Sequence, residues 1–224
     1  MPLQTAVVIG ATGLTGGHVV QALLQDETFS KVVVLVRGNF NVSHPKLTVK
    51  KVDFGNMDNY QKQLGKGDAI FCCIGTTQKK VKGDMAQYRK VDYDIPVNAA
   101  VLGKQAGFNT FLLVSAIGAN PQAANFYLRL KGEVDEAVSS AGLVGVHIFR
   151  PSLLLGNRNE VRLGEGIMQP VAKALSFLLR GRFAKYKPVE AQTVAKAMVV
   201  AARQAVPGNH VYEYTSITAL AGQF

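Results

Sequence analysis

Three sets of residues in this 224-residue chain have the types and spacing that chemistry needs. The first is Gly10-Ala11-Thr12-Gly13-Leu14-Thr15-Gly16, between a short β-branched run at 5–9 and a helical pattern at 14–25. Glycines in such a turn allow positive φ and let a diphosphate approach the backbone. The helix behind them offers free amides and a favourable dipole to an anion. The glycine spacing is three-three and not that of G-x-G-x-x-G, so the strand–turn–helix context carries the reading of a dinucleotide site. Gly10, Thr12, Gly13, Leu14, Thr15 and Gly16 are its candidate contacts. The second is Arg37, directly after Val32-Val33-Val34-Leu35-Val36. A chain preferring NAD carries an acid about 20 residues past the glycines, to accept from the ribose 2′-hydroxyl. A guanidinium there suits a 2′-phosphate instead, so NADP(H) is the expected cofactor. The third is Ser115 with Tyr127 and Lys131. Tyrosine and lysine at i and i+4 share one face of a helix. The spacing alone is common, and its weight comes from following a strand that ends in a serine.

The elements that must position these residues alternate regularly. Strand patterns are expected at 5–9, 31–36, 47–52, 69–74, 110–114 and 144–149, and helical patterns at 14–25, 86–105 and 122–139. Pro96 lies inside the second helix and should kink or split it. Short apolar strands separated by helices imply parallel βαβ units with right-handed crossovers. The expected fold is therefore α/β, a Rossmann-type doubly wound parallel sheet, in a single domain spanning 1–224. Past Pro151 the pattern loosens. Residues 157–165 read as a charged, glycine-containing loop, 168–179 and 189–203 as helices, and 210–214 as a last strand. Residues 151–187 are expected to form a small substrate-side lobe or lid, with Met168, Phe177 and Phe183 available for an apolar wall.

Composition narrows the possibilities. With 48% hydrophobic and 18% charged residues the chain has ample material for a core. No apolar run reaches the ~18 residues of a membrane span, and the opening residues lack a signal-peptide pattern. A cytoplasmic protein without membrane association is the expectation. The net charge of +10 raises nucleic acid as a partner. Neither basic cluster, Lys79, Lys80 and Lys82 or Arg180, Arg182, Lys185 and Lys187, reads as having interleaved aromatics arranged as a stacking platform, so no nucleic acid is expected. Lys79, Lys80 and Lys82 read as a solvated loop, and an anionic cofactor fits the charge. Cys72 and Cys73 read as core thiols in a reducing compartment. The four histidines make no metal-ligand spacing, so no metal is expected.

Taken in order, the glycine turn, Ser115 and Tyr127-x-x-x-Lys131 resemble the short-chain dehydrogenase/reductase pattern. Val52-Asp53-Phe54, Phe71-Cys72-Cys73-Ile74-Gly75-Thr76-Thr77, Tyr127-x-x-x-Lys131-Gly132-Glu133-Val134 and Phe149-Arg150-Pro151-x-Leu153-Leu154-Leu155 further resemble the Tat-interactive protein family, an atypical branch. The resemblance implies that Tyr127 exchanges the proton at a substrate carbonyl and that Ser115 orients the carbonyl oxygen. It implies that Lys131 binds the nicotinamide ribose and favours the phenolate by its charge. It places Asp53 near the adenine, Gly75 near the adenine ribose and Pro151 beside the nicotinamide, with Phe54 and Thr76 as further cofactor contacts. Many members carry an asparagine in the helix after the fourth strand, linking the lysine to a proton relay. Here the nearest counterpart is around Asp92, and Asn98 lies too far along.

The reading is thus an NADP(H)-dependent oxidoreductase acting on a small carbonyl or alcohol, as a monomer or homodimer. The alternatives are an NADP(H)-binding regulatory or redox-sensing protein that works through protein partners, and an epimerase or dehydratase that retains its cofactor.

Overall fold

The computed structural model describes residues 4–77, 81–156 and 179–224, with the Arg182 side chain excepted. Among these residues seven strands form one sheet: β1 (Gln4–Ile9), β2 (Phe29–Val36), β3 (Leu47–Lys51), β4 (Ala69–Cys72), β5 (Thr110–Val114), β6 (Gly145–Phe149) and β9 (Gly208–Tyr212). Their order is β3-β2-β1-β4-β5-β6-β9, and every pairing is parallel. The order reverses between β1 and β4, which makes a switch-point crevice at the carboxyl ends of those strands. A separate two-stranded sheet joins β7 (Leu154–Leu155) to β8 (Val189–Glu190). The Rossmann-type expectation holds.

The central strands are mostly apolar because both faces are covered. Alternate residues feed two cores. Ala6, Val8, Phe71 and Leu112 face α1 (Leu14–Gln25) and α6 (Ala191–Gln204). Val7, Ile9, Ile70, Phe111 and Leu113 face α2 (Met57–Leu64), α4 (Ile95–Gln105) and α5 (Phe126–Ser139). A last helix, α7 (Tyr214–Ala221), packs on α6. No helix among the described residues is long and apolar enough to cross a membrane.

Several boundaries differ from the sequence expectation. Pro96 does split the second long helix, but a π-helical turn does the work: α3 (Met85–Arg89) runs into a π segment, Lys90–Asp94, and then into α4 with the proline in its first turn. Proline supplies no N–H to the turn before it, so wider hydrogen bonding is tolerated there. Helix α5 begins at Phe126 and not at 122. The Asn125 side chain accepts from the Leu128 amide, and the Arg129 guanidinium donates to the carbonyls of Ala123 and Ala124, holding that stretch outside the helix. Helices α2 and α7 were not anticipated. The final strand ends at Tyr212, two residues early, because a capping box between Glu213 and Ser216 starts α7. The helix expected at 168–179 and the loop at 157–165 fall mostly or wholly outside the described residues, as do Lys79, Lys80, Met168 and Phe177.

Cys72 and Cys73 are free thiols. Burial pushes the Cys72 thiol up to about 12. Cys73 is only partly covered, since it lies just past the end of β4.

Strands β6 and β9 share a ladder of rings. His147 stacks on His210 at 5.1 Å, and Phe149 on Tyr212 at 4.8 Å. His147 Nδ1 lies 2.9 Å from the Tyr212 hydroxyl. Burial, reinforced by His210, lowers His147 from an ordinary 6.5 to about 4. The folded chain therefore refuses a proton that the unfolded chain accepts between pH 6.5 and about 4. Stability is lost as pH falls through that window, by on the order of 2–3 kcal/mol in total. Urea unfolding at pH 7 and pH 4.5 should show a smaller acid loss in His147→Asn than in the wild type. Equal losses in both would remove His147 from the acid response.

Candidate active site

Every candidate group outside α5 follows the carboxyl end of a parallel strand, so all of them meet at one edge of the sheet. The glycine turn follows β1, Arg37 follows β2, Asp53 and Phe54 follow β3, Gly75 and Thr76 follow β4, Ser115 follows β5 and Pro151 follows β6.

The turn after β1 is shaped to admit a diphosphate. Gly10 adopts φ +86°, and a Cβ there would come within 2.7 Å of the Cys73 carbonyl. A Cβ on Gly16 would stand 2.1 Å from the Gly10 oxygen. Gly13 closes the turn by donating its amide to Gly10 at 2.9 Å and stands as the N-cap of α1 without a side-chain cap. No acceptor among the described residues takes the amides of Leu14, Thr15 and Gly16. A helix N-terminus left uncapped behind small residues fits a dinucleotide diphosphate. Thr12 and Gly13 are exposed, and Thr15 is buried.

The flanking loops are ordered by their own side chains. Asp53 Oδ1 accepts the Gly55 amide, and the Asp53 amide donates to Asn59 Oδ1, each at 2.9 Å. Phe54 meets Tyr60 edge-on at 4.8 Å between ring centres. Arg37 is exposed at the end of β2. The Pro151 carbonyl accepts the Ile117 amide at 2.9 Å, joining the loops after β5 and β6.

Helix α5 brings the reactive pair. Tyr127, partly buried, occupies its first turn, and Lys131 lies one turn later with only 5% of its surface exposed. The Lys131 ammonium is 3.1 Å from Asp92 Oδ1, and Asp92 is 1% exposed. Burial alone would lower the lysine's pKa. The Asp92 carboxylate overrides it, with help from the Tyr127 and Tyr88 phenols, and holds the ammonium above its ordinary value. Asp92 Oδ2 accepts the Thr76 amide at 2.7 Å, while the Tyr88 hydroxyl donates to the Thr76 carbonyl at 3.3 Å.

A second buried carboxylate follows one turn after the lysine. Arg150 Nε donates to Asp135 Oδ2 at 2.9 Å. Burial raises the Asp135 carboxyl, and the Ser115 hydroxyl and Arg150 partly counter this. Ser115 is brought to the same sheet edge, but its Oγ is wholly buried and lies beside Asp135.

Asp135 and Tyr88 are residues that sequence reasoning left without roles, and Asp92 entered it only as the nearest counterpart of a relay asparagine. A signal for them was present. Asp92 falls on the buried stripe Tyr88–Ile95–Ala99, and Asp135 on the stripe Leu130–Val134–Val138. A charge on an apolar stripe demands a buried partner.

A model of an NAD(P)H-binding family matches residues 10–172. The chain belongs to this NAD(P)H-binding family. Protein HTATIP2 of Rattus norvegicus is 31% identical over 89% of this chain and 81% of its own length. It bears out the resemblance to the Tat-interactive proteins. The mitochondrial protein FMP52-1 of Scheffersomyces stipitis is 30% identical over 90% of this chain and 89% of its own. The mitochondrial protein FMP52 of Candida glabrata is 34% identical over 74% and 70%. These mitochondrial names overturn the expectation of a cytoplasmic protein, which rested on the absence of a pattern, and an absent pattern selects no compartment. Among solved structures, the Bordetella bronchiseptica enzyme WbmH in complex with NAD+ superposes with a TM-score of 0.72 at 18% identity, covering 95% of this chain and 76% of that one. A UDP-N-acetylglucosamine 4-epimerase of Methanobrevibacter ruminantium gives 0.69 at 19% identity, covering 95% and 77%. At such identities the likeness is one of fold. Family and fold together make this an NAD(P)H-binding protein of Rossmann type.

Proposed function

We propose that the protein is an NADP(H)-dependent oxidoreductase that interconverts a small carbonyl compound and its alcohol, with Tyr127 as the general acid and base. The observation that carries this reading is the buried, charged Lys131 one helical turn from Tyr127, at the same sheet edge as the uncapped glycine turn. When bound, the nicotinamide supplies or accepts the hydride at the carbon. In the reducing direction the Tyr127 phenol donates its proton to the carbonyl oxygen, and the phenolate left behind is stabilised by the Lys131 ammonium. In the other direction Tyr127 takes the alcohol proton. The amides of Leu14, Thr15 and Gly16 hold the diphosphate, with Thr12 and Gly13 flanking it. Asp53, Phe54, Gly75 and Thr76 border the adenosine, and Pro151 borders the nicotinamide.

Arg37 sets the cofactor preference in this proposal. Arg37→Ala is expected to weaken NADPH binding about 10- to 100-fold, the loss of a charge-assisted contact, and to leave NADH binding within threefold. Titrations followed by nicotinamide fluorescence check this, and equal affinity of the wild type for both cofactors would remove Arg37 from the selection. Turnover is tested by NADPH oxidation with a panel of aldehydes, ketones and quinones. Tyr127→Phe is expected to lower kcat at least about 100-fold with NADPH affinity retained. Unchanged turnover in that variant overturns the assignment of the proton donor.

One observation favours a second reading. The Ser115 hydroxyl is committed to a buried position beside Asp135 and presents no surface to a substrate. A site that binds NADP(H) without orienting a carbonyl is a sensor of cofactor state, acting through protein partners. NADPH binding with no oxidation by any member of the panel decides for this reading.

A further inference from the structure

Asp92 does more than neutralise Lys131, because its two oxygens reach two different elements. Oδ1 pairs with the Lys131 ammonium of α5, and Oδ2 accepts the amide of Thr76 in the loop after β4. Tyr88, one turn earlier, donates to the carbonyl of that same Thr76. Both sides of the Thr76 residue are thus held from the α3 and π-helical segment, and its neighbour Gly75 lies against the same carboxylate, where a Cβ would stand 3.8 Å from Oδ1. The π-turn Lys90–Asp94 is what carries the carboxylate to this position between loop and helix. Wider turns of this kind recur at functional sites.

The arrangement depends on a charge. An ammonium with 5% exposure needs a counter-ion, and a neutral side chain of the same shape would leave it uncompensated. The other groups facing Lys131 are the phenols of Tyr127 and Tyr88, the buried Cys72 thiol at the end of β4, and the Asp135 carboxyl one turn along α5. Asp135 already has Arg150 as its partner.

We infer that Asp92 is a positioning residue that locks Lys131 and the Gly75–Thr76 loop into one rigid unit, so that cofactor binding and the placement of the lysine are a single event. This rests on the reading of the crevice as an NADP(H) site. Lys131 then serves as a fixed cation and is not a member of a proton chain, and Tyr127 must exchange its proton through the open side of the crevice.

Asp92→Asn is the test, because the amide can still accept from Thr76 and only the charge is lost. NADPH affinity is measured by fluorescence at pH 7.0 and pH 9.5. The wild type is expected to change less than threefold between the two. The variant is expected to bind at least tenfold more weakly at pH 7.0 and to weaken a further tenfold at pH 9.5, as its lysine loses its proton. Equal affinities of variant and wild type at both pH values overturn the inference while leaving the cofactor site intact. Absence of NADPH and NADH binding to the wild type overturns the cofactor reading itself. Should Asp92→Asn not fold, the wild type alone decides. Lys131 is the one fully buried lysine among the described residues, so it should give a slowly exchanging ammonium resonance in 15N-lysine spectra. That resonance is expected to persist at pH 9.5 and to move on saturation with NADPH. Its absence, or its indifference to NADPH, sinks the inference.

Discussion

Gly16→Ala should all but abolish NADPH binding, with affinity down at least about 100-fold, and should lower the thermal midpoint by roughly 6–12 °C. The added Cβ would lie 2.1 Å from the Gly10 oxygen, 2.7 Å from the Gly10 carbonyl carbon and 3.0 Å from the Ala11 Cα. All three are backbone atoms, so no side chain can swing aside. The turn cannot retreat either, because Gly10 is itself pressed against the Cys73 carbonyl at the end of β4. Overpacking of this kind costs about 3 kcal/mol, and in a chain of this size each kcal/mol moves the midpoint by about 2–4 °C. Relief comes only by separating the helix N-terminus from the turn, which pulls apart the amides of Leu14, Thr15 and Gly16. Gly17→Ala is the control. Its Cβ would meet only the Ala11 oxygen at 3.5 Å, an ordinary contact, and a helical alanine gains up to about 1 kcal/mol over glycine. Wild-type NADPH affinity in Gly16→Ala would show that the diphosphate does not lie on this turn.

The second large effect concerns stability and the buried ion pair. Lys131→Met leaves Asp92 in the interior with no counter-ion, and removal of one partner of such a pair costs about 3–5 kcal/mol. The thermal midpoint is expected to drop by roughly 6–20 °C. Asp92→Asn/Lys131→Met should recover at least half of that loss, because the asparagine keeps the Thr76 hydrogen bond and no unpaired charge remains. The cycle completed with Asp92→Asn gives the coupling between the two side chains. A double variant as unstable as Lys131→Met would assign the loss to packing around the lysine stem and not to the stranded carboxylate. The stem argument has weight of its own, since α5 packs on α4 and on the π-helical turn through this stretch. One explanation predicts recovery on adding the second substitution and the other predicts none, so the measurement separates them.

Much of the architecture was legible in the chain because it rests on local pattern. The run Val32–Val36 and the run 69–72 are apolar at consecutive positions, which only a strand covered on both faces requires. The glycine turn announced the first crossover, and Pro96 announced a break in the helix that carries it. The starts of α5 and α7 were not legible in the same way. Both depend on caps, an asparagine at 125 and a Glu213–Ser216 box, that compete with a helical pattern extending past them or with a strand pattern before them.

The candidate site divides along the same line. Sequence alone determined which strand ends carry the glycines, Arg37, Asp53, Gly75, Ser115 and Pro151, because in a parallel sheet every strand delivers the residue after it to one edge. It also put Tyr127 and Lys131 on one helical face. Only the tertiary structure decided how Lys131 is kept charged, by which carboxylate, and that Ser115 turns toward Asp135. Those facts join residues separated by 20 to 40 positions in the chain, through contacts between helix, loop and strand that no periodicity encodes. A buried charge reveals in sequence that it needs a partner. Which partner it finds is settled by how the layers pack.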